Sequence, residues 1–298
     1  MRKSIVYSVA VLAISYSIAG GLIFTGILND EDQTTRFIVS ALYMFLPLVT
    51  ALIFDRIIYK NNLIDSWGLR LRFNRWLFSP LAIIPMFVLL AIAISLLFPG
   101  TRLELSPVEA MRNLLPPEQF AASLPQLENT PAVMFYGSQI VSAIIAGYTI
   151  NALFAFGEEV GWRGYLLNTF KGKPFWQTCV FTGAVWGIWH APLILLGHNY
   201  PKHPQIGVAM MTLFCILITP LHIYVRIKTK SIYGASILHG FLNALAGMPL
   251  LIIIGGSDLT VGATGTAGMI ALVIMNIALY VFDVHLTKGR ILVSDISL

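Results

Sequence analysis

The feature that most constrains this chain is a succession of apolar runs, each long enough to cross a bilayer, joined by polar connections. A helix needs ~20 residues to cross ~30 Å of hydrocarbon. Hydropathy places eight such runs, at about 5–28, 37–59, 76–98, 134–156, 176–197, 206–226, 231–254 and 267–287, with ends good to ~2–4 residues. No alternating ten-residue segments mark a barrel. Of the 298 residues, 57% are hydrophobic and only 11% charged, against roughly 25% charged in a soluble domain. The fold class is therefore all-α: a polytopic membrane protein of about eight transmembrane helices. It reads as one domain over 1–298, with the polar motifs gathered in 134–254. Met1-Arg2-Lys3 could open a signal peptide, but the run from Ile5 to Leu28 exceeds a typical signal core and reads as the first retained helix.

The charges sort by side. Arg2, Lys3, Arg56, Lys60, Arg70, Arg72, Arg75, Arg163, Lys171, Lys173, Arg226, Lys228, Lys230, Lys288 and Arg290 fall on one side, which makes fifteen; Arg36, Arg102, Arg112 and Lys202 make four on the other. The positive-inside rule then puts both termini in the cytoplasm of a cell-membrane protein. The acidic cluster Asp30, Glu31, Asp32 falls outside, in agreement. The basic residues form no block, so the net charge of +5 points to topology and membrane lipid, with no nucleic-acid partner. Lys60 to Trp76 mixes basic with apolar residues and suits a stretch lying on the inner leaflet. The outer loop from Pro99 to Pro131 carries Pro107, Pro116, Pro117 and Pro125, which rule out one continuous helix but allow a short one around Val108 to Leu115. Cys179 and Cys215 lie inside apolar runs and read as small buried side chains.

Ionisable groups inside a bilayer are costly, roughly 2.5–3.5 kcal/mol each on insertion scales, so those present need a reason. Glu159 and Arg163 are four residues apart and share a helix face, which pairs them. Glu158 points about 100° away and is left facing something else. In the fifth run Trp186 and His190 share a face, and Gly183 and Gly187 thin that helix for a close neighbour. In the seventh, His239 and Asn243 present an imidazole and an amide together. His222, near Pro220 and Arg226 in the sixth run, reads as a packing or interfacial residue, and His198, His203 and His285 as solvated or interfacial. A carboxylate with a histidine can hold and deprotonate water, while a second histidine and an amide can donate to an oxyanion. Zinc is the competing use of Glu158, His190 and His239. Without an HExxH the metal-free site, with no cofactor, is preferred.

The order EExxxR at Glu158 to Arg163, aromatic-xxx-His at Trp186 to His190 and HxxxN at His239 to Asn243 resembles the CAAX protease and bacteriocin-processing (CPBP, or Abi) family. Its best-known members are type II CAAX prenyl endopeptidases. Trp186 stands where the family often has Phe. The resemblance implies an intramembrane endopeptidase acting on a peptide or protein substrate, prenylated or membrane-associated, reached from the cytoplasmic side. It implies Glu158 with His190 as the water-activating pair, His239 and Asn243 as the oxyanion hole, and Glu159 with Arg163 as a brace. Family members have been described both as metalloproteases and as metal-free glutamate proteases. Two other classes compete: a proton-coupled transporter using Glu158, His190 and His239 as a relay, and a non-catalytic bacteriocin-immunity or scaffold protein.

One depth estimate strains this picture. At 1.5 Å per residue His239 lies roughly 12 Å into its span, and His190 roughly 21 Å beyond Trp176. That is too deep to meet Glu158 at a cytoplasmic helix end. The fourth helix is therefore expected to reach further in, and Lys171 to Thr178 to lie partly at the interface.

Overall fold

A computed structural model describes residues 2–27, 33–112 and 114–298; the acidic cluster Asp30, Glu31, Asp32 lies outside the described residues. Among the described residues, six helices are long and apolar enough to cross a membrane: α1 (Arg2–Phe24), α2 (Ile38–Ile58), α3 (Arg75–Ser95), and, further on, Pro204–Thr229, Ile232–Ile252 and Thr266–Leu286. A bent pair, Pro117–Glu128 with Ala132–Tyr148, turns through 118° and makes a seventh candidate. The chain is a polytopic helical membrane protein. Large aliphatic side chains such as Val9, Leu42, Leu89, Ile145 and Ile277 stand exposed along the helices, as a hydrocarbon-facing surface requires and an aqueous one would not tolerate in such number.

The fourth and fifth runs depart from single uninterrupted spans. The fourth comprises α4 (Ala132–Tyr148) and α5 (Ile150–Glu159), which runs on into a π-helical turn, Val160–Leu166. The break is Thr149, at φ −117° and ψ −101°, whose hydroxyl donates back to the Ile145 carbonyl at 2.6 Å. The fifth is α6 (Phe175–Trp189), stopped at His190 and followed by the short α7 (Ala191–Leu195). Pro192, in the first turn of α7, has no N–H to continue the ladder. The remaining helices are α8 (Pro204–Thr229), α9 (Ile232–Ile252) and α10 (Thr266–Leu286).

Contacts sort these segments between two ends. At one end Lys3 lies over the Tyr59 ring, Asn74 donates to the Thr229 carbonyl, and the Ile232 amide donates to Gly68. There the C-terminal tail also joins Gly172 to Phe175, through Gly172 N–H to Ile296 and Phe175 N–H to Ser294. At the other end Arg102–Leu103 pairs antiparallel with Ile253–Ile254, Tyr200 donates to Thr264, Tyr136 to Leu251 and Tyr43 to Trp189. Among the described residues eight segments alternate between these ends, counting α4 with α5 and α6 with α7. The first end gathers the basic connections and both termini.

α4 and α5 lie antiparallel to α9 along its length: Tyr136 meets Leu251, Tyr148 meets Phe241 and Phe156 stacks on Tyr233. They therefore form one kinked rod, and Glu158 and Glu159 sit well inside it. The expected deeper reach of the fourth helix is thus met by the α5 extension to Leu166.

Gly183 closes α6 onto α8, where a Cβ would come within 2.6 Å of the Ile216 Cα. Gly187 does the same against Thr212. The proline-rich outer loop forms two short helices, Pro107–Arg112 and Pro117–Glu128. Within Lys60 to Trp76, Phe73 and Leu71 are exposed, but Trp67 is buried and donates to Asp55 at 2.7 Å, so that stretch is partly docked on the bundle. Cys179 and Cys215 are buried free thiols.

Candidate active site

The two adjacent carboxylates end in different surroundings. Both are buried, Glu158 at 2% exposure and Glu159 at 0%, at the junction where α5 passes into its π-helical turn. Such turns change which side chains share a face and recur at functional sites. Glu159 Oε1 accepts from Arg163 Nη1 at 2.8 Å and from His239 Nδ1 at 3.0 Å. Arg163 Nη2 reaches across to the Thr219 hydroxyl of α8 at 3.0 Å, and the guanidinium lies 4.3 Å from the Trp186 ring centroid. The charges of this knot are paired, which is how a buried ion pair is tolerated, although Arg163 Nε and Glu159 Oε2 are left without a hydrogen-bond partner.

Glu158 is held differently. Its Oε2 accepts the Trp186 indole N–H at 2.6 Å and the Trp162 indole N–H at 3.4 Å. No cation reaches it within salt-bridge distance among the described residues. A phenylalanine at 186 could fill the space but could not make the shorter bond. Glu158 lines a cavity of about 790 Å³ with Trp186, His190, His239 and Asn243.

The histidines share a tautomeric pattern. His190 Nδ1 lies 2.8 Å from the Trp186 carbonyl and His222 Nδ1 3.2 Å from the Ile218 carbonyl; a carbonyl only accepts, so Nδ1 carries the proton in both. His239 Nδ1 does the same toward the Glu159 carboxylate. Each ring thus keeps an Nε2 lone pair for something else. His190 and His239 present theirs on the wall of the cavity, whereas His222 is fully buried behind Trp186 and its Nε2 has no hydrogen-bond partner.

The structure brings all six expected site residues to one neighbourhood, split between wall and knot. Of the two readings of His222, packing and interfacial, the structure supports packing: the ring is fully buried with Nδ1 on the Ile218 carbonyl, and it lies against the site rather than at the interface. Its ring centroid is 5.7 Å from that of His239 and 5.5 Å from that of Trp186, and it joins Glu159 and His239 with ligand atoms within 4.8 Å of one another. The available signal was the one used for His190, an ionisable side chain inside an apolar run. Pro220 and Arg226 drew the reading toward the helix end instead.

That trio differs from Glu158, His190 and His239, the set that the sequence offered to zinc as the less favoured alternative. It does not suit a divalent cation. Glu159 Oε1 and His239 Nδ1 are spent on each other, and Arg163 sets a full positive charge 2.8 Å from the same carboxylate. Glu159 Oε2 and His222 Nε2, both without a protein partner, are two acceptors that a shared proton or water would serve.

The cavity lining also bears on access. Besides the site residues it comprises Leu193, His198 and Lys202, the stretch Gly255–Val261 in part, and Thr264, all at the end opposite the termini. None of its lining residues belongs to 60–75, 169–174 or 226–231. Cytoplasmic termini and a cytoplasmic entrance, both expected from the sequence, therefore cannot hold together: mouth and termini lie at opposite ends.

Residues 137–245 match the family model described as Rce1-like, Type II CAAX prenyl endopeptidase Rce1-like. The "CAAX prenyl protease 2" of Methanococcus maripaludis is 34% identical over 44 residues, which cover 14% of this chain and 16% of that relative. The chain therefore matches well under two thirds of that relative's length.

Proposed function

We propose that this chain, which carries a type II CAAX prenyl endopeptidase Rce1-like domain over 137–245, is an intramembrane endopeptidase working by glutamate-activated water. The observation that carries the reading is the state of Glu158: a buried carboxylate with no cation partner, oriented by the Trp186 N–H at 2.6 Å, on the wall of a cavity shared with His190, His239 and Asn243.

In this reading Glu158 takes a proton from a water in the cavity as the water oxygen attacks the scissile carbonyl carbon. The His190 Nε2 lone pair accepts the other water hydrogen and so aims the attack. The amide N–H of Asn243 donates to the developing oxyanion. His239 joins it as a donor when Nε2 as well as Nδ1 carries a proton, its Nδ1–H being held by the Glu159 carboxylate. Collapse of the tetrahedral species breaks the C–N bond. Glu158 returns its proton to the leaving amine, giving a carboxylic acid, which still carries the second water hydrogen, and an amine. Glu159 and Arg163 fix the helix that carries Glu158 and the ring that carries the His239 donor. The substrate is a peptide or protein segment that can reach a polar site within an apolar bundle.

The test is cleavage of a peptide library by purified protein in detergent or nanodiscs. Glu158→Gln, nearly isosteric and still able to accept from Trp186, should lower the rate by about 10³-fold or more while folded yield holds, from the usual range for losing a general base. Cleavage should survive a chelator. Unchanged cleavage by Glu158→Gln overturns the assignment, and loss with chelator that a divalent ion restores overturns the metal-free route.

A further inference from the structure

Two independent observations fix which side of the membrane the proposed site faces. The first is charge: of the fifteen Lys and Arg that the sequence assigns to the side of the termini, Arg163 is buried in the knot with Glu159, which leaves fourteen there against four on the other side, a bias that places the rich side in the cytoplasm. The contacts of Lys3 with Tyr59, Asn74 with Thr229 and the C-terminal tail with Gly172 to Phe175 gather those basic connections at one physical end. The second is the cavity, whose lining climbs from Glu158 past Leu193 and Leu250 to His198, Lys202 and Asp258 at the other end. Below Glu158 the bundle is closed: Trp162, Arg163, Tyr165 and Leu166 are all buried.

The mouth is built rather than frayed. Asp258 accepts from the Lys202 backbone N–H at 2.8 Å and sits 2.6 Å from His203 Nδ1, so the 197–203 loop and the 255–264 loop are clipped together at the rim. The antiparallel pair Arg102–Leu103 with Ile253–Ile254 ties the second of these to the outer loop after α3.

The geometry points to an active-site cavity entered from the extracytoplasmic face, and so to an exported peptide segment as substrate. This rests on the protease reading for the word substrate, but not for the sidedness. A C-terminal CaaX tail modified in the cytoplasm would meet the closed end of the bundle. An extended peptide outside the cell would meet a rim of mixed charge, Lys202 beside Asp258, and apolar walls at Leu242, Leu250 and Ile253 leading down to Glu158.

The experiment uses the full chain in its native membrane. Cys179 and Cys215 are buried, but Cys215 lines the cavity, so both are first replaced by alanine to give a background without cysteine. Lys202→Cys at the rim and Lys171→Cys at the opposite end, both exposed positions, are treated in intact cells with a membrane-impermeant maleimide. Lys202→Cys should be labelled in intact cells and Lys171→Cys only after permeabilisation, with at least a tenfold contrast for each. Labelling of Lys171→Cys in intact cells with Lys202→Cys protected overturns the inference. In a second arm, a charged, impermeant peptide found to be cut by purified protein is offered to intact cells. It should be cut by cells carrying the wild-type chain and not by cells carrying Glu158→Gln; a peptide cut only after permeabilisation overturns the inference. If the labelling holds but no peptide is cut by purified protein, the protease reading falls while the sidedness stands.

Discussion

Glu158 and Glu159 are neighbours in the chain, equally buried, and yet live in opposite kinds of surroundings. Around Glu159 the protein supplies a guanidinium, an imidazole and, through Arg163, a hydroxyl from another helix. Around Glu158 it supplies two neutral indole N–H groups and a cavity. A buried carboxylate with an ion pair is structurally tied down, whereas one with only neutral donors keeps its ability to take a proton. The difference teaches that a single residue step, about 100° around the helix, separates what holds the bundle from what faces the cavity.

That contrast can be broken from either side. The largest effect should come from Arg163→Met, which leaves the Glu159 carboxylate buried without its cation. The cost expected for breaking a buried pair is about 3–5 kcal/mol, read as collapse of folded yield or a lowered thermal transition in detergent. An Arg163→Met chain as stable as the wild type would erase the distinction between the two carboxylates.

Trp186→Phe attacks the other side. It keeps an aromatic ring under Arg163 but removes the 2.6 Å bond to Glu158. Folded yield should change little, while kcat falls about 10–10²-fold with KM near its original value, as for a residue that positions a general base. A fall in yield with normal kcat in the surviving protein would move Trp186 into the structural knot.

The smallest effect should be that of Thr219→Val, which deletes one acceptor for Arg163 and keeps the shape. About 1–2 kcal/mol of stability is at stake, given the usual worth of a hydrogen bond to a charged group, and turnover should be nearly unaltered.

Much of this was legible in the sequence because ionisable residues in apolar runs are conspicuous. Helical spacing alone joins Arg163 to Glu159, and that ion pair is present at 2.8 Å. The polytopic helical fold was legible too, since the runs are long and the connections polar, although six or seven candidate spans stand among the described residues where the sequence suggested about eight. Thr149 was not legible, because it looks like any other threonine in an apolar run: its hydroxyl bond to the carbonyl four residues back is made equally by Thr182 and Thr212 inside unbroken helices. The role of His222 was hidden because nothing in a one-dimensional pattern says that residue 222 of one helix stands behind residue 186 of another. The position of the cavity mouth was equally hidden: it depends on which loops converge, here 197–203 with 255–264, and on the burial of what lies beneath Glu158.

The early stop of α6 at His190 has a consequence for the membrane itself. Its fifteen residues from Phe175 to Trp189 measure roughly 22 Å, against a hydrocarbon thickness of ~30 Å. α7 carries the chain on past the break at His190, so the shortfall of roughly 8 Å is met by an interrupted helix beside the cavity and not by a continuous one. In the proposed function, the descent of a substrate from bulk water to Glu158 is then governed by bilayer thickness. Reconstitution in lipids of increasing acyl length would lengthen that descent without touching a single residue of the site.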